Sequence, residues 1–321
     1  MPELPPAHRA AVQLLAAWMS ARYFRTFRLA ADDPGAFDAL LQQRERRVGV
    51  TVGALWDDTT PTAGAAELAA LLTDEVETDR AIAAGGYVVW VPPRAVLPDG
   101  EPQQSRLRVA LAKGLAGLEP GERREVRLPV TLQLAKLQDA GAYVSVTGGL
   151  ASEWTTLSEG VSGAYHLDAR TLCRLPDERA EVEIIVSRVR DRAAQLRAEE
   201  VTDVPVHDTW VVSRLPAEAP SAVVVIAAPP DLDALDGTIV RRMLRRHVQR
   251  AAAQAAGGTA VELSALVLIG AVAHLKEELA TAALRGMNPA AYGTLDLIVL
   301  VGDGGVRQVL QPRSLPWDGA R

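Results

Sequence analysis

Five arginines, Arg241, Arg242, Arg245, Arg246 and Arg250, fall within IVRRMLRRHVQRAAAQ at a spacing that gathers them on one half of a helical circumference. Val240, Met243, Leu244, Val248 and Ala251 occupy the other half. A row of guanidinium groups suits the phosphates along a nucleic-acid backbone, each pairing adding affinity by releasing counterions. A solvated charged face has the same pattern. His247 falls in the middle of the apolar arc and reads as a satisfied core histidine rather than a catalytic base. His166 with Asp168, His207 with Asp208, and Glu153 beside Trp154 have no nucleophile motif next to them and read as structural or surface groups. Cys173 is the single cysteine, which excludes an intramolecular disulfide and a cysteine-rich zinc site and reads as a small buried hydrophobe.

Phosphate-binding G-x-x-x-x-G-K-[ST], H-E-x-x-H and G-x-S-x-G motifs are absent, so ATPase, zincin and α/β-hydrolase chemistry lose their sequence basis. Gly302, Gly304 and Gly305 lie between two strand-like runs and read as turn glycines, not as a phosphate loop before a helix. The net charge of -6 over 321 residues argues against a globally basic nucleic-acid binder but leaves room for a local basic patch. The longest apolar run, Leu263 to Leu275, is too short to span a bilayer. With no signal-peptide pattern at the N-terminus, the expectation is a soluble cytoplasmic protein with no membrane role.

The elements that must position these groups follow from periodicity. Apolar residues at helical spacing from Ala7 to Arg22 predict a first helix, and strands are expected at Tyr23 to Ala30, Phe37 to Leu41 and Arg47 to Leu55. Thr60 and Pro61 read as the cap and first residue of a helix through Leu68 and Leu72 to Gly85, followed by the buried strand YVVWV at Tyr87 to Val91. Alternation from Val126 to Leu134, then Tyr143 to Val146 beyond a turn at Asp139 to Gly141, predicts an antiparallel pair, and a helix carries Val182, Ile185 and Val189. A strand at Ala222 to Ala228, a helix from Gly237 to Ala256, a strand from Leu263 to Val272, a helix from Leu275 to Arg285 and a hairpin through Asp303 complete the chain.

The fold class is therefore α/β, a mixed sheet flanked by helices, with a middle α+β section. Residues 1–95 form one unit whose sheet lies between the Ala7 and Glu67 helices, and 96–219 a middle section of unassigned role. Residues 220–321 form a C-terminal α/β unit able to complete the first.

The N-terminal order of helix, three strands, helix and strand, with a turn holding Pro34 and Asp38 ahead of RRVGVTVGAL, resembles the core of PD-(D/E)XK nucleases. The resemblance covers roughly the first ninety residues. In that family an aspartate and an acid on the next strand bind Mg²⁺, a hard ion that needs oxygen ligands and activates water on the phosphate. Here Gly35 follows Pro34, Asp38 is the nearest acid, Thr51 stands at the place of the metal-binding glutamate and Gly53 at the final motif position. The resemblance thus implies a nuclease fold with a degenerate metal site at Asp38 and Thr51. Its expected function is a non-catalytic subunit that binds nucleic acid, a protein partner or a second copy of itself in a DNA-processing or defence assembly, with no cofactor. Two alternatives are an active Mg²⁺-dependent nuclease drawing acids from Asp32, Asp33, Asp38, Asp57 and Asp58, and a structural or small-molecule α/β protein unrelated to nucleic acid.

Overall fold

The computed structural model describes residues 4–57, 62–216, 219–232, 237–257, 261–270 and 277–318. Its elements run α1 (Pro6–Tyr23), β1 (Arg28–Leu29), β2 (Ala39–Gln43), β3 (Arg46–Ala54), α2 (Ala65–Thr78), β4 (Gly86–Val91), α3 (Gln103–Leu115), β5 (Arg123–Gln138) and β6 (Ala142–Gly148). They continue with α4 (Trp154–Ser158), β7 (Gly163–Ala169), α5 (Arg179–Ala193), β8 (Val201–Arg214), β9 (Ala222–Ala227), α6 (Gly237–Gly257), β10 (Leu263–Ile269), α7 (Glu277–Arg285), β11 (Leu297–Gly302) and β12 (Gly305–Leu310). The class is α/β, with two mixed sheets and seven α-helices among the described residues. The chain divides into two compact units, residues 1–124 with 211–321, and residues 125–210. The sequence divisions after 95 and 219 both fall within the first of these.

In the first unit one sheet has the order β1-β2-β3-β10-β11-β12. The β2–β3 and β11–β12 pairs are antiparallel, whereas β10 runs parallel to both β3 and β11. Alternation divides its side chains cleanly. Val48, Val50, Val52, Ala265, Val267, Ile269, Val299 and Val301 face α1 and share a core with Leu15 and Met19. Leu266, Leu268, Ile298 and Leu300 face the other way, against Val240, Leu244 and Val248 of α6. Both faces being covered, β10 is apolar at every position but Ser264, and each fully buried Val or Leu stabilises the fold by roughly 1.5–3 kcal/mol. At the β11–β12 connection Asp303 and Gly304 both have positive φ, 48° and 72°, as the two-residue hairpin turn requires.

Two expectations for the first ninety residues are corrected. Tyr23 to Ala30 is no continuous strand: Phe24 adopts a left-handed conformation that ends α1, and the Ser20 hydroxyl accepts the Phe27 N–H at 2.9 Å, leaving only Arg28–Leu29 extended. The strand β4 does not join β1–β3. It pairs in parallel with β9 and antiparallel with Val211 to Arg214 of β8, in the second sheet, and α2 packs on β9. A short apolar strand with β-branched residues on both faces fits any covered sheet, so its composition does not name its partners. The expected cap at Thr60 and Pro61 lies outside the described residues, as do residues 271–276, on which the expected end of the β10 strand and start of the α7 helix fall.

In the second unit the strands are ordered β6-β7-β5-β8, with β7 antiparallel to β5 and parallel to β6. The expected antiparallel β5–β6 hairpin is therefore corrected. Alternation identified both strands, but β7 alternates equally well and takes the place between them. The core of this unit joins Leu132, Leu134, Tyr165 and Leu167 to Val182, Ile185, Val186 and Val189 of α5.

Candidate functional site

The strand β3 presents Gly49, Thr51 and Gly53 on the face opposite Val48, Val50 and Val52, as its alternation predicts. That face is filled. The Phe37 ring lies over Gly49, where an added Cβ would sit 2.6 Å from its Cε2. Thr51 is fully buried and its hydroxyl donates to Oε1 of Gln254 on α6. At Gly53 an added Cβ would meet His247 Nδ1 at 2.2 Å, so only glycine fits beneath that ring. His247 is buried with Nε2 2.8 Å from the Ala54 carbonyl oxygen, and since a carbonyl only accepts, Nε2 carries the proton.

Asp38 stands just before β2, its N–H bonded to the Val50 carbonyl at 3.0 Å. Its Oδ2 accepts from the Val52 N–H at 2.7 Å and from Arg250 Nη2 at 2.7 Å, and Arg250 donates in addition to the Val52 carbonyl. The carboxylate thus ties the entry of β2 to β3 and α6. With side chains 23% and 43% exposed, the ion pair itself contributes at most about 1 kcal/mol. The charged hydrogen bond from Val52 is the stronger link, at roughly 1.5–3 kcal/mol.

This arrangement does not fit Mg²⁺. The cation needs several oxygens free to turn toward it, with carboxylates offsetting its charge. Asp38 offers an oxygen already engaged by two donors, one of them cationic, and Thr51 supplies no charge. Among the described residues the other acids do not form a metal-holding group with it. Asp32 pairs with Arg47 at 2.9 Å, Asp33 accepts the Gly35 N–H at 3.0 Å in a local turn, Asp57 is exposed beyond the end of β3, and Asp58 lies outside the described residues. No group of three or more His, Cys, Asp or Glu able to hold a metal ion occurs among the described residues.

Along α6, Arg241, Arg242, Arg245, Arg246 and Arg250 are exposed, while Val240, Met243, Leu244, His247, Val248 and Ala251 are buried. Only Arg250 of the five is drawn into an ion pair among the described residues. The sequence reading placed His247 in the core but missed Arg250 and Gln254, whose spacing of three and four from it brings all three side chains to bond β3. That spacing is the signal that would have found it.

The remaining candidates fall in the second unit and do not combine. His207 is exposed and Asp208 buried, on opposite faces of β8, so they form no dyad. Asp208 accepts from the backbone N–H groups of Cys173 and Arg174 at 3.0 and 2.7 Å and from Trp210 Nε1 at 3.0 Å, which anchors the segment after β7. Burial nevertheless outweighs those donors and pushes its carboxyl up to about 6. His166 Nδ1 lies 2.8 Å from the Ser145 hydroxyl, and Arg170 holds the Asp168 carboxyl down at about 2. Glu153 pairs with Arg179 at 2.9 Å, and Cys173 is buried.

Comparisons with protein-family models, with curated proteins and with solved structures found no match. The class that stands is a mixed α/β protein in which no described helix is long and apolar enough to cross a membrane.

Proposed function

We propose that this chain is a non-catalytic, nuclease-like subunit that binds nucleic acid through the arginine face of α6, inside a DNA-processing or defence assembly. The observation that carries the reading is Arg250. Its guanidinium sits on Asp38, the acid nearest the place where the resembled nucleases hold a metal ligand, while Thr51 and Gly53 are packed under Gln254 and His247 of the same helix. Two further features support it. The chain order α1, β1, β2, β3, then α6 and β10 with β10 parallel to β3 gives the helix–three-strand–helix–strand sequence, with the remainder of the chain inserted between β3 and α6. The helix that fills the degenerate motif also turns Arg241, Arg242, Arg245 and Arg246 to solvent, where phosphates can reach them.

The test is a salt titration of binding to one duplex oligonucleotide by the wild type and by a chain carrying Arg241→Gln, Arg245→Gln and Arg246→Gln. These residues are exposed, so folding is retained. The log–log slope falls by about one unit for each phosphate that no longer meets a guanidinium, up to about three units. Equal slopes reduce the arginines to a solvated face, and a protein-binding scaffold then becomes the better reading.

A further inference from the structure

A cleft of about 540 Å³ opens beside β1, the edge strand of the first sheet. Phe24, Arg25, Thr26 and Arg28 line it from the α1–β1 connection and from β1, and Gln42, Gln43 and Arg44 line it from β2 and the turn that follows. Among the described residues its lining holds three arginines and no acidic residue, and with Arg25 and Arg44 exposed its complement is anionic. Neighbouring arginines are treated differently: Arg46 and Arg47, two and three residues beyond Arg44, are ion-paired with Glu262 and Asp32. Arg25 and Arg44 make no ion pair among the described residues.

The aromatic residue of the cleft is the unusual one. Phe24 is 85% exposed, the most exposed of the large hydrophobic side chains among the described residues. It also holds a positive φ of 53° at the end of α1, a position that glycine ordinarily takes. Exposure of the ring and strain of the backbone are both unfavourable to the free chain, and both fall on the same residue at the mouth of a basic cleft. Helix termination accounts for the conformation but not for an aromatic side chain there, since glycine ends the helix without either cost. An exposed flat ring beside guanidinium groups matches a ligand that carries a planar face next to a phosphate.

We infer that this cleft binds a nucleoside phosphate, with the base stacked on Phe24 and the phosphate held by Arg25 and Arg44. In a nucleic-acid-binding chain the natural source is an unpaired nucleotide of a single strand, and in that respect the inference rests on the function proposed above. Gln42 and Thr26 add neutral hydrogen-bonding groups able to meet a base edge or a sugar. The cleft selects by stacking and charge, so the subsite tolerates any base.

The experiment measures binding of a short labelled oligothymidylate, with thymidine monophosphate and polyglutamate as competitors, to the wild type and to the Phe24→Ala, Phe24→Trp, Arg25→Gln/Arg44→Gln and α6 triple-glutamine variants. Phe24→Ala should weaken oligothymidylate binding by about 5- to 150-fold, the range of a single base–aromatic stack. Phe24→Trp should restore it, and Arg25→Gln/Arg44→Gln should lower the salt slope by about one to two units. Competition by the mononucleotide with the same Phe24 dependence assigns the subsite to free nucleotides as well, whereas competition by the oligonucleotide alone assigns it to the strand. Because positive φ suits glycine, Phe24→Gly should leave the thermal midpoint unchanged or raised while affinity falls, which separates a binding role from a folding one. Unchanged affinity in Phe24→Ala, or equal competition by polyglutamate that ignores Phe24, overturns the subsite. If the α6 variant alone loses affinity, the subsite fails and the proposed function stands. If the wild type binds no oligonucleotide, both fail.

Discussion

Replacing Gly53 with alanine adds one methyl group at a point where the structure has no room for it. Its Cβ would lie 2.2 Å from His247 Nδ1 and 2.3 Å from Cε1, far inside van der Waals separation. The ring cannot yield cheaply, because it is buried and its Nε2–H is bonded to the Ala54 carbonyl at 2.8 Å. Overpacking a core costs about 1–3 kcal/mol and breaking a buried hydrogen bond a further 1–3, so Gly53→Ala should destabilise the fold by about 2–6 kcal/mol. In a His247→Ala background the space is vacant, and the same methyl should cost less than about 1 kcal/mol or stabilise the strand slightly. Urea unfolding of wild type, the two single variants and the double variant, followed by tryptophan fluorescence, measures this coupling. A cost for Gly53→Ala that is equal in both backgrounds refutes the close approach of β3 and α6, and with it the reason that glycine stands at the final motif position.

Three other outcomes follow from the same packing and hydrogen bonds. Asp38→Ala should cost about 2 kcal/mol in urea unfolding and Arg250→Ala at most about 1, because only the first strands the Val52 N–H in β3; the reverse order contradicts the assigned bonds. Thr51→Glu places a carboxylate at a fully buried position against the Gln254 amide oxygen, and should lower the urea midpoint without creating Mg²⁺-dependent cleavage, a nicking assay being the check. For Asp208, raised from 3.8 to about 6 by burial, the native state binds the proton more tightly than the unfolded chain. The stability this confers is complete below about pH 3.8 and lost as pH rises to about 6, on the order of 2–3 kcal/mol, and Asp208→Asn should abolish that slope; urea midpoints of the wild type that do not fall between about pH 4 and about pH 7 would sink the assignment.

Local pattern carried most of the first sheet. The alternation of β3, the apolar run of β10, and the turn residues Asp303 and Gly304 each depend on a few neighbouring residues, and each was legible. The outward arginine face of α6 was legible for the same reason. Partner choice was not. Nothing in YVVWV distinguishes β3 from β9 as its neighbour, and the β6–β7 pairing depends on a strand that lies beyond helix α4. Pro205 sits inside β8 between the buried Val204 and Val206, and an internal proline hides such a strand from a pattern search. Helix α3, with Leu107, Leu111 and Leu115 on one face, was masked by the proline-rich approach to it. The ion pair that fills the candidate metal position spans 212 residues of sequence, so Asp38 could be named from the chain but its engagement by Arg250 could not.

The central claim is binding without metal-dependent cleavage, and one assay reads both. A labelled duplex and a supercoiled plasmid are incubated with the purified chain in Mg²⁺, in Mn²⁺ and in a chelator, with binding and strand breakage scored in the same samples. The account predicts binding that persists in the chelator, since the cation at Asp38 is the Arg250 guanidinium, together with no breakage above a mock preparation. Metal-dependent nicking that disappears in Asp38→Ala would contradict it and establish an active nuclease.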